Sequence, residues 1–425
     1  MVRFLGAFLM LLFAFPAYAQ PASRPHVVWA KNANIYEVNI RQFTPEGTIP
    51  AFAKQLPRLK KMGVKIIWLM PVQPIGVKNR KGMLGSYYSI RDYTAVNPEF
   101  GTMDDFKQMV RTAHGLGMKV ILDWVANHTA WDHPWITQHP DWYKRNAAGE
   151  IVSYNFDNGR EVEYWTDVVG LDYKQPALWP TMIDAMKFWV RETGIDGFRC
   201  DVAMLMPEPF WAQARTELDA IKPMFMLAEA AEPGLHARAF DATYHWKLQE
   251  LLAEIAQGKK TAGDLRAFYD KPDPAFAPDA WRMNFTSNHD INSWHGHDGE
   301  KYGAGFEAFA TLAATLPGIP LVYGGQEGEL NKRIAFFEKD AIDWKGYKRA
   351  PLYTRLLTLK TRNRALWNGT AGGTLAFQET GSRDVIAFTR TRGRNKVLVV
   401  ANLSGTAQVT AFGTLAPWAT RISAR

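Results

Sequence analysis

Short apolar runs recur along the chain at wide intervals. In order they are "IYEVNI" (35–40), "VKIIWLM" (64–70), "KVILDWV" (119–125), "GFRCDV" (197–202), "FMLAEA" (225–230), "AFDATY" (239–244), "RMNFTS" (282–287) and "IPLVYG" (319–324). The more apolar of them lack the alternation of a half-exposed sheet, so they read as strands buried on both faces. Helical periodicity occupies 50–62, 103–117, 178–193, 207–220, 261–269, 303–316 and 347–366. "GTMDDF" opens the second of these with Thr102 as N-cap and acidic residues in the first turn, where the helix dipole favours them. Eight strands with mostly intervening helices predict an α/β fold closed into a (β/α)8 TIM barrel. No helical pattern joins the fifth run to the sixth.

Two stretches break the repeat. From His128 to Pro176 the chain is rich in Trp, Asp, Asn and Gly, and reads as an irregular insertion subdomain (128–176) leaving the third strand over one rim of the barrel. After Trp367 the pattern alternates and is punctuated by Gly, Asn and Thr, which predicts a C-terminal antiparallel β-sandwich over 367–425. The expected organisation is thus a signal peptide at 1–19, a catalytic barrel at 20–366 that includes the insertion, and a small β domain without an acidic or histidine cluster.

The first segment rests on "MVRFLGAFLMLLFAFPAYAQ", with one basic residue, an apolar run from Phe4 to Phe15, and Ala17 and Ala19 ahead of a cleavage point. That run is too short for the roughly 20 residues of a membrane span. The expected product is exported, periplasmic or extracellular, with no membrane attachment after cleavage. The lone Cys200 permits no internal disulfide and reads as a small buried hydrophobe. A net charge of +8 invites a nucleic-acid partner, but Lys and Arg are interspersed with Asp and Glu rather than gathered in a stripe. Ordinary solvated surface accounts for it, and no nucleic acid is expected. Of the 16 Trp, those at 131, 135, 142, 165 and 294 fall in loops, where a flat ring can face a flat ligand. Nothing in the sequence fixes the oligomeric state.

Polar residues cluster where strands end. Asp123 closes the third strand, with Asn127 and His128 just beyond; Arg199 and Asp201 lie on the fourth, Glu229 on the fifth, and the seventh runs into Asn288, His289 and Asp290. A barrel gathers its C-terminal strand ends at one face, so these residues converge. Arg199 and Asp201, two apart on a strand, point to the same side. The arginine is expected to hold Asp201 ionised, while Glu229, preceded by "MFMLA", keeps a proton nearer neutrality through desolvation. Glycoside cleavage needs that division between a nucleophile and an acid. His128 and His289 have no tight metal-ligand spacing, so they fit hydrogen bonding to a polyhydroxylated ligand better than zinc binding.

With these residues in hand, the sequence resembles the α-amylase family of retaining glycoside hydrolases and transglycosylases, glycoside hydrolase family 13. The resemblance rests on "DWVANH" (123–128), "GFRCDVA" (197–203), "AEA" around Glu229 and "NHD" (288–290). "YSIRDYTAVNPEFGT" (88–102), "LDYKQP" (171–176) and "YGGQE" (323–327) support it. It implies that Asp201 is the nucleophile, Glu229 the general acid and then base, and Asp290 the holder of two sugar hydroxyls. It further implies that Arg199 sets Asp201, that His128 and His289 contact hydroxyls, that Tyr88 stacks beneath the ring and that Asp123 braces the pocket. A retaining pair of this kind keeps its carboxyls about 5 to 5.5 Å apart. No cofactor is implied for the chemistry. Asn127 matches the position of a structural calcium ligand in the family; its alternative is a local hydrogen bond.

The resemblance implies an α-amylase acting on α-1,4 bonds of starch or maltodextrins. A transglycosylase or α-glucoside isomerase would share the same pocket and differ in what intercepts the intermediate. A catalytically inactive carbohydrate-binding scaffold should lack one of the three acids, and all are present. One departure counts against the plain endo-amylase: where many family members have Lys and His after the nucleophile, this chain has Met204 and Leu205.

Overall fold

The computed structural model describes residues 24–425 apart from 158 and 160; the expected signal peptide lies outside the described residues. All eight apolar runs form strands: Ile35–Val38, Ile66–Leu69, Lys119–Trp124, Gly197–Cys200, Phe225–Ala228, Ala242–Tyr244, Trp281–Asn284 and Ile319–Tyr323. They pair in parallel in chain order, and the eighth closes on the first with Leu321 opposite Ile35. Side chains alternate between two cores, as the strand period requires. Ile66 and Trp68 fill the barrel interior with Ile35, Ile121, Phe225 and Leu227, whereas Ile67 and Leu69 face the helices. Both faces are covered, which is why the runs looked continuous rather than alternating.

The helices follow the periodicity, with local corrections. Thr102 caps Met103–Gly115 in a reciprocal box: its hydroxyl accepts from the Asp105 amide at 3.1 Å, and the Asp105 carboxylate accepts from the Thr102 amide at 2.8 Å. The pattern over 50–62 is two helices, Ile49–Ala53 and Leu56–Met62. Pro57 is the cause, because its ring clashes with the carbonyl four residues back and it has no amide hydrogen to donate. Beyond the sixth strand lie two helices, Trp246–Ala256 and Ala262–Asp270, of which the periodicity identified only the second. Between the fifth and sixth strands there is only a turn of 3-10 helix, Pro233–His236.

The insertion is more regular than expected. His128–Ala130, Ser153–Asp157 and Val162–Gly170 form a three-stranded antiparallel sheet with the last strand in the middle. Its Asn, Asp and Gly content hid an alternation that places Tyr154 opposite Trp165, ring centroids 5.4 Å apart. In the C-terminal region Thr374–Gln378, Val385–Arg392, Asn395–Asn402 and Thr420–Ala424 make a four-stranded antiparallel sheet. The second layer of the expected sandwich is only a hairpin, Gln408–Thr410 with Gly413–Leu415. Cys200 is buried and free. Among the described residues no helix is long and apolar enough to cross a membrane.

Candidate active site

Position along each strand decides which side chains meet. Ile35, Ile66, Ile121, Leu227 and Ala242 point into the barrel, so the residues two further on point inward again at the C-terminal end. Those residues are Glu37, Trp68, Asp123, Glu229 and Tyr244. On the fourth strand the same spacing carries Gly197 to Arg199. The last inward layer is therefore polar where the layers beneath it are apolar, and it forms the floor of a cleft.

Arg199, fully buried, is the hub of that floor. Its Nη1 donates to Asp123 Oδ1 at 2.9 Å and to Asp201 Oδ1 at 2.8 Å, and its Nη2 lies 2.9 Å from Glu229 Oε1. Nε donates to the Tyr244 hydroxyl at 3.1 Å, and the guanidinium sits 5.2 Å from the Trp68 ring centroid. Asp201 follows directly on the strand, which ends at Cys200. The strand ladder continues past it: the Glu229 amide donates to Cys200 O and the Ala203 amide to Glu229 O. Val202 adopts φ +37°, a left-handed conformation costly for a β-branched residue, and in that conformation its amide donates to Glu229 Oε2 at 2.8 Å. Asp201 and Glu229 are thus fixed to each other through one guanidinium and one strained turn.

The seventh strand delivers the other wall. His289 is buried between Glu37, whose Oε1 lies 2.5 Å from Nδ1, and Asp290, whose Oδ2 lies 3.2 Å from Nε2. The Tyr88 hydroxyl is 2.8 Å from His289 Nε2 and donates to Asp123 Oδ2 at 3.1 Å, with the two rings stacked 5.4 Å apart. Trp68 Nε1 donates to the same Asp123 oxygen at 3.1 Å. Asp290 keeps 32% of its side-chain surface open to the cleft and Glu229 keeps 13%. His128 is buried beside Trp165, ring centroids 5.5 Å apart.

Electrostatics distinguish the two histidines. Burial lowers His128 to about 3, so it is neutral. Burial opposes charge on His289 as well, but the Asp290 and Glu37 carboxylates prevail and hold it at about 9. The expectation that Arg199 keeps Asp201 low is corrected: burial raises Asp201 well above the usual range, against Arg199 and together with repulsion from Glu229 and Asp123. Arg199 opposes that rise, but it divides one charge among three carboxylates. Burial also raises Asp123, to about 6, and raises Asp290, each opposed by its cationic neighbour. The three aspartates thus share one direction of shift, set by burial and opposed by the neighbouring cations.

Tyr88, Asp123, Arg199, Asp201, Glu229, His289 and Asp290 meet at this face, whereas Trp142, anticipated as a ring facing a ligand, is buried against Trp135 and His139. Asn127, the anticipated calcium ligand, turns its amide nitrogen to His128 Nδ1 at 3.1 Å. Calcium takes about six to eight oxygens, usually with carboxylates among them. Among the described residues no group of three or more His, Cys, Asp or Glu side chains could hold a metal ion. Glu37, Trp68 and Tyr244 were missed. For Glu37 the signal was available, since a lone acid in the buried run "IYEVNI" raises the same question as an arginine in "GFRCDV".

Residues 30–355 match the family model described as α-amylase, catalytic domain. Among curated proteins, the chain is 27% identical over 398 residues to α-1,4-glucan:maltose-1-phosphate maltosyltransferase 1 of Streptomyces coelicolor, covering 85% of this chain and 56% of that protein. It is 29% identical over 329 residues to an α-amylase of Haloarcula japonica, covering 73% and 47%. The chain spans about half the length of these relatives. Among solved structures, a noncanonic maltogenic α-amylase from Thermotoga neapolitana is 32% identical with a TM-score of 0.79, covering 88% of this chain and 86% of that one. An α-amylase from Lactobacillus plantarum is 29% identical with a TM-score of 0.81, covering 93% and 99%. A barrel whose C-terminal face gathers these acids, matched over most of its length, leaves one assignment: the chain belongs to the α-amylase family.

Proposed function

We propose that this protein is a retaining glycosidase or transglycosylase acting on α-1,4-glucans. The observation that carries the reading is the Arg199 guanidinium joining Asp201 to Glu229, with Asp290 open to the same cleft. In the proposed first step the Asp201 carboxylate attacks the anomeric carbon while Glu229 protonates the departing oxygen. A bond from carbon to Asp201 forms as the glycosidic bond breaks. In the second step Glu229 takes a proton from the incoming hydroxyl, and that oxygen displaces Asp201 from the carbon. Two inversions keep the configuration. Asp290 accepts from sugar hydroxyls, His289 as an imidazolium donates, and neutral His128 can do either. Tyr88 and Asp123 hold His289 and Arg199 in place.

Water and a sugar hydroxyl compete for the second step, and we favour the sugar. Relatives of comparable similarity include both amylases and maltosyltransferases. Met204 and Leu205, packed half-buried against the core just past Asp201, offer an apolar wall there. Incubation with maltoheptaose separates the fates: transfer gives products longer than the substrate, and hydrolysis gives only shorter ones. Proton NMR of the first product should show the α anomer, and an initial β anomer would refute the retaining mechanism. Asp201→Asn should fold normally and lose kcat by about 10³-fold or more. Export through the amino-terminal segment belongs to the same reading, and a secreted product beginning at Gln20 would bear it out.

A further inference from the structure

The segment after Asp290 leaves a large aromatic face uncovered. Ile291–His295 forms a single turn of π-helix, a rare conformation that recurs at functional sites. It projects Trp294, 50% exposed, away from the core. An isolated exposed tryptophan would need no explanation, but this one is backed by other rings. Its ring lies 5.3 Å from Phe336 and 5.9 Å from Phe337. Phe336 in turn stacks on Tyr88 at 6.2 Å and an interplanar angle of 15°, and Tyr88 stacks on His289. Aromatic faces therefore run without a break from the floor of the cleft to the surface.

The loop that supplies the two phenylalanines is held firmly despite lacking regular structure. Asn292, buried on the π-turn itself, donates to Lys332 O at 3.1 Å and accepts from the Ile334 amide at 2.9 Å. Gln42 donates to Glu338 O at 2.6 Å and accepts from the Asp340 amide at 2.7 Å. On the outer side the Lys81 ammonium lies 6.0 Å from the Phe337 ring, donates to Tyr164 O at 3.0 Å and pairs with Asp167 at 3.4 Å. Tyr164 and Asp167 belong to the insertion sheet, so Trp294 stands where the insertion meets the loop of the eighth strand, at the mouth of the cleft.

We infer that Trp294, backed by Phe336 and Phe337, is the stacking platform of a subsite for a glucosyl unit of an α-1,4-linked chain, beyond the sugar held by Asp290 and His289. This rests on the proposed α-glucan reading and adds a chain-length requirement to it. A pyranose presents C–H groups on its faces and hydroxyls at its edge. A rigid indole covers such a face at little entropic cost, while the polar rim keeps its water. The exposed, pre-positioned ring is thus explained as surface that a chain covers and a small glucoside does not reach.

The test compares Trp294→Ala and Trp294→Phe with the wild type on maltoheptaose and on p-nitrophenyl α-maltoside. The alanine variant should lose about ten-fold in kcat/KM on maltoheptaose, chiefly through KM, and change little on the short glycoside. Phenylalanine should restore most of the loss. Equal losses on both substrates, or none on either, would overturn the platform. Absence of wild-type turnover on both would instead overturn the α-glucan reading. In that event, titrating the Trp fluorescence of Asp201→Asn with maltoheptaose still decides the subsite: a saturable change that vanishes when Trp294→Ala is added supports it, and one that survives sinks it.

Discussion

Glu37 illustrates how one acid buried in the floor of a cleft can govern the residues above it. It lies fully buried on the first strand, its Oε1 against His289 and its Oε2 without a partner. The groups facing His289 are Glu37, Asp290, Tyr88, Asp123 and Arg199, of which only the arginine disfavours charge on the ring. Since its folded pKa of about 9 is raised, His289 contributes stability that is complete below its ordinary value of roughly 6.5. That contribution is lost as pH rises through about 9. Glu37→Gln keeps an acceptor but removes the charge. The alkaline limb of the kcat/KM profile should then move down by about one pH unit. The Tm difference between the two proteins should be greatest at acidic to neutral pH and shrink through the alkaline range. An unmoved limb would mean that Glu37 only fills space.

At the scale of single elements, the fourth strand shows how tightly fold and site are joined. A Cβ on Gly197 would stand 1.9 Å from Phe225 O, a backbone atom of the paired strand that cannot move aside alone. Gly197→Ala should therefore separate these two strands, cost about 3 kcal/mol or more and lower activity with it, because Arg199 and Glu229 ride on the displaced strands. Chemical denaturation checks this, and an unchanged midpoint would refute it. The fold was legible in the sequence because burial on both faces wrote most barrel strands as apolar runs, "AFDATY" and "RMNFTS" being the more polar exceptions. The acids were legible because a charge in such a run stands out. Less visible were features set by contacts across the chain: the sheet within the polar insertion, the reach of Arg199 to three carboxylates, and the burial that lifts Asp201. A strand's own residues say that Arg199 has an acid partner, not how many share it.

For the molecule as a whole, the opposite end of the barrel carries a second set of buried charges with a different task. Lys360, fully buried on Ala350–Arg362, donates to Gly318 O at 2.8 Å, to Asn368 Oδ1 at 2.5 Å and to Leu366 O. Asn368 then donates to Ala30 O at 2.9 Å, ahead of the first strand. Arg390, on the C-terminal sheet, donates to Thr315 O at 3.1 Å and Gly373 O at 3.0 Å. Among the described residues neither cation pairs with a carboxylate; both satisfy carbonyls at element ends that have no ladder to join. They tie the C-terminal sheet to the N-terminal rim of the barrel, the face away from the cleft. Arg390→Leu leaves those carbonyls unmet and should cost about 2 to 3 kcal/mol. Because the acids are held from the other rim, kcat/KM below the unfolding temperature should stay within about two-fold of wild type. Calorimetry with parallel kinetics tests both halves. A large loss of activity in a protein that still melts at the wild-type temperature would show that the C-terminal sheet acts on the cleft directly rather than by holding the barrel closed.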